Sequence, residues 1–196
     1  MTYTEYLTLI DTVVADGRTT GPRQSEELAG FTKLNRQRIS RLDKTAAIED
    51  ATLEAVAKTK LPMIWMVITE AWCGDAAQNV PWIEKIAAGN DKIETRYVLR
   101  DENADLMDRF LTGGSRSIPK LIAIDANTTD VLGTWGPRPA PAENLFTKLK
   151  GDGIETAVIK EEIQRWYNAD KGRSIQTEFI KLVAQWDSRC AVASAA

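Results

Sequence analysis

Apolar residues recur with two different spacings along the chain. In roughly the first sixty residues they recur every three or four positions, which predicts amphipathic helices in an N-terminal segment. The almost continuous apolar run over 63–69 predicts a strand buried on both faces. Beyond it, the pattern predicts a helix over 75–88, a strand over 93–99 and a helix over 103–111.

The second half of the chain predicts a hairpin followed by helices. Two short apolar strands, over 120–124 and 131–135, are separated by a polar turn. Two helical patterns follow, over 154–166 and 175–186. A β-α-β unit followed by a hairpin implies an α/β fold, with a mixed central sheet covered by helices. We divide the chain into an N-terminal helical extension (1–61), a core (62–150) and a C-terminal helical extension (151–196).

Composition narrows the classes of function. The 196 residues, 43% of them hydrophobic and 27% charged, predict one globular domain with added elements. A net charge of −3 gives no support for a nucleic-acid partner. No stretch has the length and apolarity of a membrane span, and the first residues do not resemble a signal peptide, so we expect a cytoplasmic protein with no membrane partner.

The absence of histidine excludes several kinds of active site. Ser-His-Asp and Cys-His catalysis and the usual histidine-containing zinc sites all need that residue. Two cysteines and scattered carboxylates do not suggest a metal cluster, so we expect no metal and no cofactor. The sequence carries no signal for an oligomeric state.

The segment Trp72-Cys73-Gly74-Asp75-Ala76 places one cysteine at the predicted turn between strand and helix. The N-terminus of a helix favours a thiolate, whereas the neighbouring carboxylate of Asp75 opposes it. A dithiol centre would need a second cysteine three residues later, where the chain has Ala76. Cys190 could pair with Cys73 only across a Cα separation of about 4.4–6.8 Å, and it is otherwise an incidental cysteine.

Several segments, in order and spacing, resemble the thioredoxin superfamily. Trp72-Cys73-Gly74 matches the start of the Trp-Cys-Gly-Pro-Cys motif, and Pro81 falls where these proteins have a proline that kinks the active-site helix. Ser117-Ile118-Pro119 is similar to the family's Ile-Pro segment, whose proline is cis. Trp135-Gly136 is similar to the glycine loop after the last hairpin strand. The resemblance covers roughly 62–149 and implies a thioredoxin-like three-layer fold with extra helices at both ends.

The segments 69–78, 99–103, 116–121 and 135–139 together resemble a bacterial group of thioredoxin-like proteins with Trp-Cys-Gly-Asp-Ala in place of the dithiol motif. Asp75 replaces the motif's proline, and Ala76 replaces its second cysteine. Val67 lies where thioredoxins bury an aspartate that serves this second cysteine. We therefore do not expect the standard dithiol cycle.

Two functional hypotheses follow. In the first, Cys73 is a monothiol that exchanges with a disulfide of a protein or peptide partner, or senses thiols, and an external thiol such as glutathione resolves the mixed disulfide. In the second, the chain is a non-catalytic module that binds a peptide or protein in a groove between Trp72, Pro119 and Trp135.

Four charged residues near the motif are candidates for supporting roles. Glu70 and Asp75 bracket Cys73 as a possible acid/base pair, although Asp75 is equally suited to stabilising the first turn of a helix. Arg116 and Arg138 flank the two family loops. Each could place a guanidinium near a thiolate or a substrate carboxylate, or could simply be solvated.

Two further features remain open. A cis Ile118–Pro119 bond would leave the backbone beside the thiol free to pair with an extended peptide, whereas a trans bond would make Pro119 an ordinary turn residue. A basic cluster in the N-terminal segment could bind an anion or an acidic partner, or form a solvated helix face. Its members are Lys33, Arg36, Arg38, Arg41 and Lys44.

Overall fold

The computed structural model describes residues 1–193, with side chains up to residue 188. Its elements, in chain order, are α1 (Tyr3–Ala15), α2 (Glu26–Thr45), α3 (Asp50–Ala57), β1 (Met63–Thr69), α4 (Gly74–Ala87), β2 (Ile93–Leu99), α5 (Ala104–Asp108), β3 (Lys120–Asp125), β4 (Val131–Trp135), α6 (Ala140–Gly151), α7 (Thr156–Asp170) and α8 (Arg173–Ala193). The side chain of Cys190 lies outside the described residues, and so does the question of whether it pairs with Cys73.

The four strands form one mixed sheet in the order β2-β1-β3-β4. Strand β1 pairs in parallel with β2 and antiparallel with β3, and β3 pairs antiparallel with β4. The apolar run of β1 lies at the centre of this sheet, where Met63, Trp65 and Val67 are fully buried. The predicted α/β fold with a mixed sheet and added helices is confirmed.

After the hairpin the chain forms three helices, whereas two were predicted. The two predicted patterns correspond to α7 and α8, and α6 precedes them. Helix α6 begins with Ala140 and Pro141, and proline is tolerated in a first helical turn because the N–H groups there have no partner within the helix. Prolines at its start made α6 difficult to recognise from apolar spacing alone.

Both helical extensions pack on the sheet and on α4. Helix α2 packs along α4, and α8 packs against α3 and β4. The rings of Trp65 in β1 and Phe179 and Trp186 in α8 meet edge to face, with centroids 5.2 and 5.7 Å apart from Trp65. Helix α7 packs against α6, and its Tyr167 hydroxyl donates to Asp75 at the start of α4 at 2.9 Å.

Local sequence explains where α2 begins. Ser25 caps the helix by accepting a hydrogen bond from the Leu28 N–H at 3.1 Å, and Glu26 and Glu27 place negative charge in its first turn.

Among the described helices, none combines the length and apolarity that a membrane crossing requires.

Candidate functional site

Cys73 is the N-cap residue of α4, at the turn that leaves β1. Its Sγ accepts a hydrogen bond from the Ala76 N–H at 3.4 Å, and the thiol donates to the Ile118 carbonyl at 3.2 Å. The residue is only 8% exposed. The thiol therefore joins the start of α4 to the segment before Pro119.

Burial, with a smaller contribution from the charge of Asp75, raises the pKa of the Cys73 thiol to about 12. The N–H groups at the start of α4 and the guanidinium of Arg138 lower the pKa, but by less than burial raises it. At neutral pH this thiol is protonated, so the structure does not support a thiolate. The sequence showed the helix terminus and Asp75 but not the burial, which is the largest effect.

The loop beside the thiol is tightly packed. The Ile118–Pro119 peptide bond is cis, and so is Gly136–Pro137 in the neighbouring loop. Gly136 has a φ of +106°, and a Cβ at this position would lie 2.2 Å from the Pro119 carbonyl oxygen. Ile118 is buried, and its carbonyl already accepts from Cys73. One acceptor position of the Ile118 carbonyl is therefore already occupied by the thiol.

Trp135 does not line a groove. It is 6% exposed, and its indole N–H donates to Glu178 Oε2 of α8 at 2.6 Å. The cavity beside Cys73 is lined by Trp72 but by neither Pro119 nor Trp135. The groove expected between these three residues is therefore replaced by a cavity on the other side of the thiol.

Asp75 anchors the motif to the C-terminal half of the chain. Arg138 contacts both of its carboxylate oxygens, at 2.7 and 3.0 Å, and the Tyr167 hydroxyl donates to Oδ1 at 2.9 Å. Burial raises the pKa of Asp75, and the charge of Arg138 opposes that rise. Arg138 also pairs with Glu143 at 2.8 Å. Asp75 thus holds α4, α7 and the loop before α6 together, and its oxygens are not directed to the thiol.

Glu70 links the end of β1 to the N-terminal extension through hydrogen bonds. One of its oxygens accepts from the Thr20 hydroxyl, and the other accepts from the Asp101 N–H at 2.8 Å. The Thr20 hydroxyl in turn accepts from the Ala71 N–H at 3.0 Å. Burial raises the pKa of Glu70. Because both oxygens are occupied, the geometry offers no support for an acid/base role of Glu70 at Cys73.

The other two predicted residues differ in their distance from the site. Arg116 makes a two-pronged ion pair with Asp108 at 2.6 Å on the surface and does not line the cavity. Trp72 is half-buried at the cavity edge, with the Arg100 guanidinium 4.7 Å from the centre of its ring. Of these two, only Trp72 remains part of the site.

A cavity of about 650 Å³ opens beside Cys73, which we name the α2–α7 groove. Its α2 wall consists of Glu27, Leu28, Phe31 and Arg38. Its α7 wall consists of Thr156, Ile159, Lys160, Ile163, Gln164 and Tyr167. One end is closed by Trp72, Cys73, Gly74 and Asp75, and Arg23, Ser25, Arg138, Phe146, Lys150 and Ile154 complete the lining. Its volume lies within the range of about 300–1,000 Å³ that is typical of ligand sites.

Positive charge predominates in this groove. Arg23, Arg38, Lys150 and Lys160 form no ion pair with any carboxylate of the described side chains. Of the lining acids, Asp75 is neutralised by Arg138. Burial and the nearby charge of Arg41 lower the pKa of Arg38. The groove therefore presents several cations and few acids.

Comparison with known proteins identifies the family of this chain. A family model described as thioredoxin matches residues 21–150. The chain belongs to the thioredoxin family. No curated protein matches the sequence. The crystal structure of a protein of unknown function from Pseudomonas aeruginosa is similar to this thioredoxin-family chain, with a TM-score of 0.59 at 16% identity over 80% of this chain and 90% of that one. An HIV epitope-scaffold is similar with a TM-score of 0.55, at 15% identity over 94% and 98% of the two chains.

The thioredoxin resemblance did not reveal the groove, because one wall lies outside the matched residues. Phe31, Phe146, Lys160 and Tyr167 were not predicted as site residues, and no local signal marks them. Arg38 was noted only as a member of the basic cluster. That cluster divides in the structure, since Arg36 pairs with Asp11 at 2.7 Å whereas Arg38 faces the groove.

Proposed function

We propose that this thioredoxin-like chain is a peptide- or protein-binding module that uses the α2–α7 groove. The observation that carries the proposal is the contrast between a buried, protonated thiol and the open cavity beside it. Binding needs only the cavity, whereas disulfide exchange needs a thiolate. The Ile118 carbonyl, at which an extended peptide could pair, is already hydrogen-bonded to the thiol.

The shape of the groove suits an extended segment. Phe31 and Lys160 face each other across it, with the Lys160 ammonium 4.6 Å from the ring centre. Seven residues farther along each helix, Arg38 and Tyr167 reach the start of α4. Seven helical residues span roughly 10 Å, which corresponds to about three residues of extended chain. Both walls also continue beyond Phe31 and Lys160 toward the outer end.

A selection experiment tests this proposal. A random peptide library displayed on phage is panned on the full-length protein, and the selected peptides are measured by isothermal titration calorimetry. We expect peptides that bind the wild type and Cys73→Ser with the same affinity. Leu28→Trp, which adds bulk inside the groove, should weaken them by about tenfold or more.

Leu34→Trp is the matched control, because Leu34 lies on the same helix, is 40% exposed and is not part of the groove lining. It should leave the affinity unchanged. Peptides that tolerate Leu28→Trp, or a library that yields none, would contradict the proposal.

A monothiol function is the second candidate, and one observation favours it. Cys73 lines the groove, so a bound partner could contact the sulfur. In that reaction the Cys73 thiolate attacks a partner disulfide, forms a mixed disulfide and releases the other partner sulfur as a thiolate. Attack by glutathione thiolate on the partner sulfur then releases Cys73 as a thiolate, and a glutathione–partner disulfide forms.

A glutathione-dependent disulfide reduction assay separates the two candidates. Activity in the wild type that is lost in Cys73→Ser would establish redox chemistry and overturn the binding-only proposal. We expect no Cys73-dependent turnover.

A further inference from the structure

We infer that the occupant of the α2–α7 groove is an acidic peptide segment that carries a large apolar side chain. The inference rests on the proposed binding function and specifies its ligand. It is argued from the charges, the aromatic lining and the spacing of the cations.

Charge is the first argument. The chain as a whole carries a net charge of −3. The groove nevertheless holds Arg23, Arg38, Lys150 and Lys160 without ion-pair partners among the described side chains, and Glu27 is its one acid outside the Asp75–Arg138 pair. A basic groove in an acidic protein attracts anionic ligands and disfavours cationic ones.

The aromatic lining is the second argument. Phe31 and Phe146 face the cavity together with Trp72, and all three are only partly buried. The guanidinium of Arg138 lies 4.0 Å from the centre of the Phe146 ring, and the ammonium of Lys160 lies over Phe31. Partly exposed rings beside cationic side chains suit an apolar side chain flanked by carboxylates.

The spacing of the cations is the third argument. Arg23 precedes α2, and Arg38 is more than three helical turns into it, which separates them by roughly 20 Å. Lys150 and Lys160 lie on two other helices. A single phosphate would contact cations that converge on one point, whereas cations spread along two walls suit carboxylates distributed along a chain.

The test uses three synthetic probes and the full-length protein. The acidic probe is acetyl-Glu-Leu-Glu-Phe-Glu-Leu-Glu-amide, and the other two have Gln or Lys in place of every Glu. Affinities are measured by isothermal titration calorimetry at low salt. We expect the acidic probe to bind about tenfold or more tightly than the Gln probe and the Lys probe not to bind.

Charge-removing variants locate the interaction. Arg38→Gln should weaken binding of the acidic probe by about tenfold, and Lys160→Gln by about threefold, because an ion pair with the half-buried Arg38 is less screened by solvent than one with the exposed Lys160. Lys33→Gln is the control, since Lys33 is exposed on the same helix and does not line the groove. Thermal unfolding of all three variants should match that of the wild type.

The outcomes distinguish this inference about an acidic ligand from the proposed binding function on which it rests. Equal affinity for the acidic and Gln probes, or binding that Arg38→Gln and Lys160→Gln leave unchanged, would overturn the acidic ligand while a binding function stands. The acidic ligand is also overturned if no probe binds. In that case, peptides from the phage selection that bind in the groove would still support the binding function. A selection that yields no peptide would overturn both the binding function and the acidic ligand. Displacement of the acidic probe by inorganic phosphate at equal concentration would also contradict a peptide ligand.

Discussion

The two sides of Cys73 are built differently. On the loop side, the thiol donates to the Ile118 carbonyl, and Gly136 packs against Pro119 so closely that a Cβ has no space. On the groove side, partly buried aromatic and basic side chains border an open cavity. The loop side consists of the segments that resemble thioredoxins, and the groove side consists mostly of residues in the helical extensions.

The motifs that resemble thioredoxins lie on the closed side, whereas only part of the groove lies within the residues that match the family model. The Ile-Pro and Trp-Gly segments form a tightly packed unit, in which Gly136 lies against the Pro119 carbonyl. The groove combines α2 with α7, and α7 lies outside the residues that match the family model. Family membership therefore explains the framework around Cys73 but does not identify its ligand.

The largest effect should come from substitution on the closed side. Gly136→Ala places a Cβ 2.2 Å from a backbone oxygen and imposes a left-handed φ on alanine. We expect a loss of about 4 kcal/mol or more in the free energy of unfolding, measured by urea denaturation. Gly30→Ala, within α2 and with no heavy atom within 4 Å, should instead stabilise by about 0.5–1 kcal/mol. Equal effects of the two substitutions would refute the closed packing.

The next largest effect concerns the reactivity of the thiol. In a Cys190→Ser background, iodoacetamide should alkylate Cys73 at neutral pH about 100-fold or more slowly than it alkylates glutathione, because the pKa of this thiol is raised to about 12. The rate should rise by about tenfold per pH unit up to pH 10, since thiolate forms only as pH approaches the raised pKa. A rate that levels off near pH 8 would show a thiol that is not buried.

Breaking the link between the two sides should have an intermediate effect. Asp75→Asn removes the charge that faces Arg138 but keeps the size of the side chain, and Arg138 retains Glu143. We expect a loss of about 2 kcal/mol in the free energy of unfolding. Asp108→Asn, in an exposed pair with Arg116, is the control and should cause no measurable change. If both substitutions are neutral, Asp75 does not anchor the motif.

The smallest effect is expected at Glu70. Its pKa is raised, so the native state binds a proton at pH values where the unfolded chain has lost it, and this contribution to stability declines as pH rises above about 4.3. Glu70→Gln removes the titration. The variant should differ from the wild type by less than about 1 kcal/mol at pH 4.5 and gain relative stability toward pH 7, as followed by urea midpoints. An opposite trend with pH would mean that the native environment stabilises the carboxylate.

Sequence alone predicted those parts of the fold that depend on local pattern. The apolar run Met63–Thr69 gave the bounds of β1, because a strand buried on both faces has few other sequence forms. The burial of Cys73 could not be predicted in this way, since it depends on Ile118, 45 positions away. The groove depends on Phe31 and Lys160, whose contact arises only when both helical extensions pack on α4.

The position of Trp72 has a spectroscopic consequence. The chain has six tryptophans, and Trp72 is the one that the structure places along the α2–α7 groove. Trp65, Trp82, Trp135 and Trp186 are buried in the core. Trp72 is partly open to solvent and lies under the Arg100 guanidinium. A Trp72→Phe difference spectrum thus isolates a single indole whose emission reports on polarity at the Cys73 end of the groove, without any attached label.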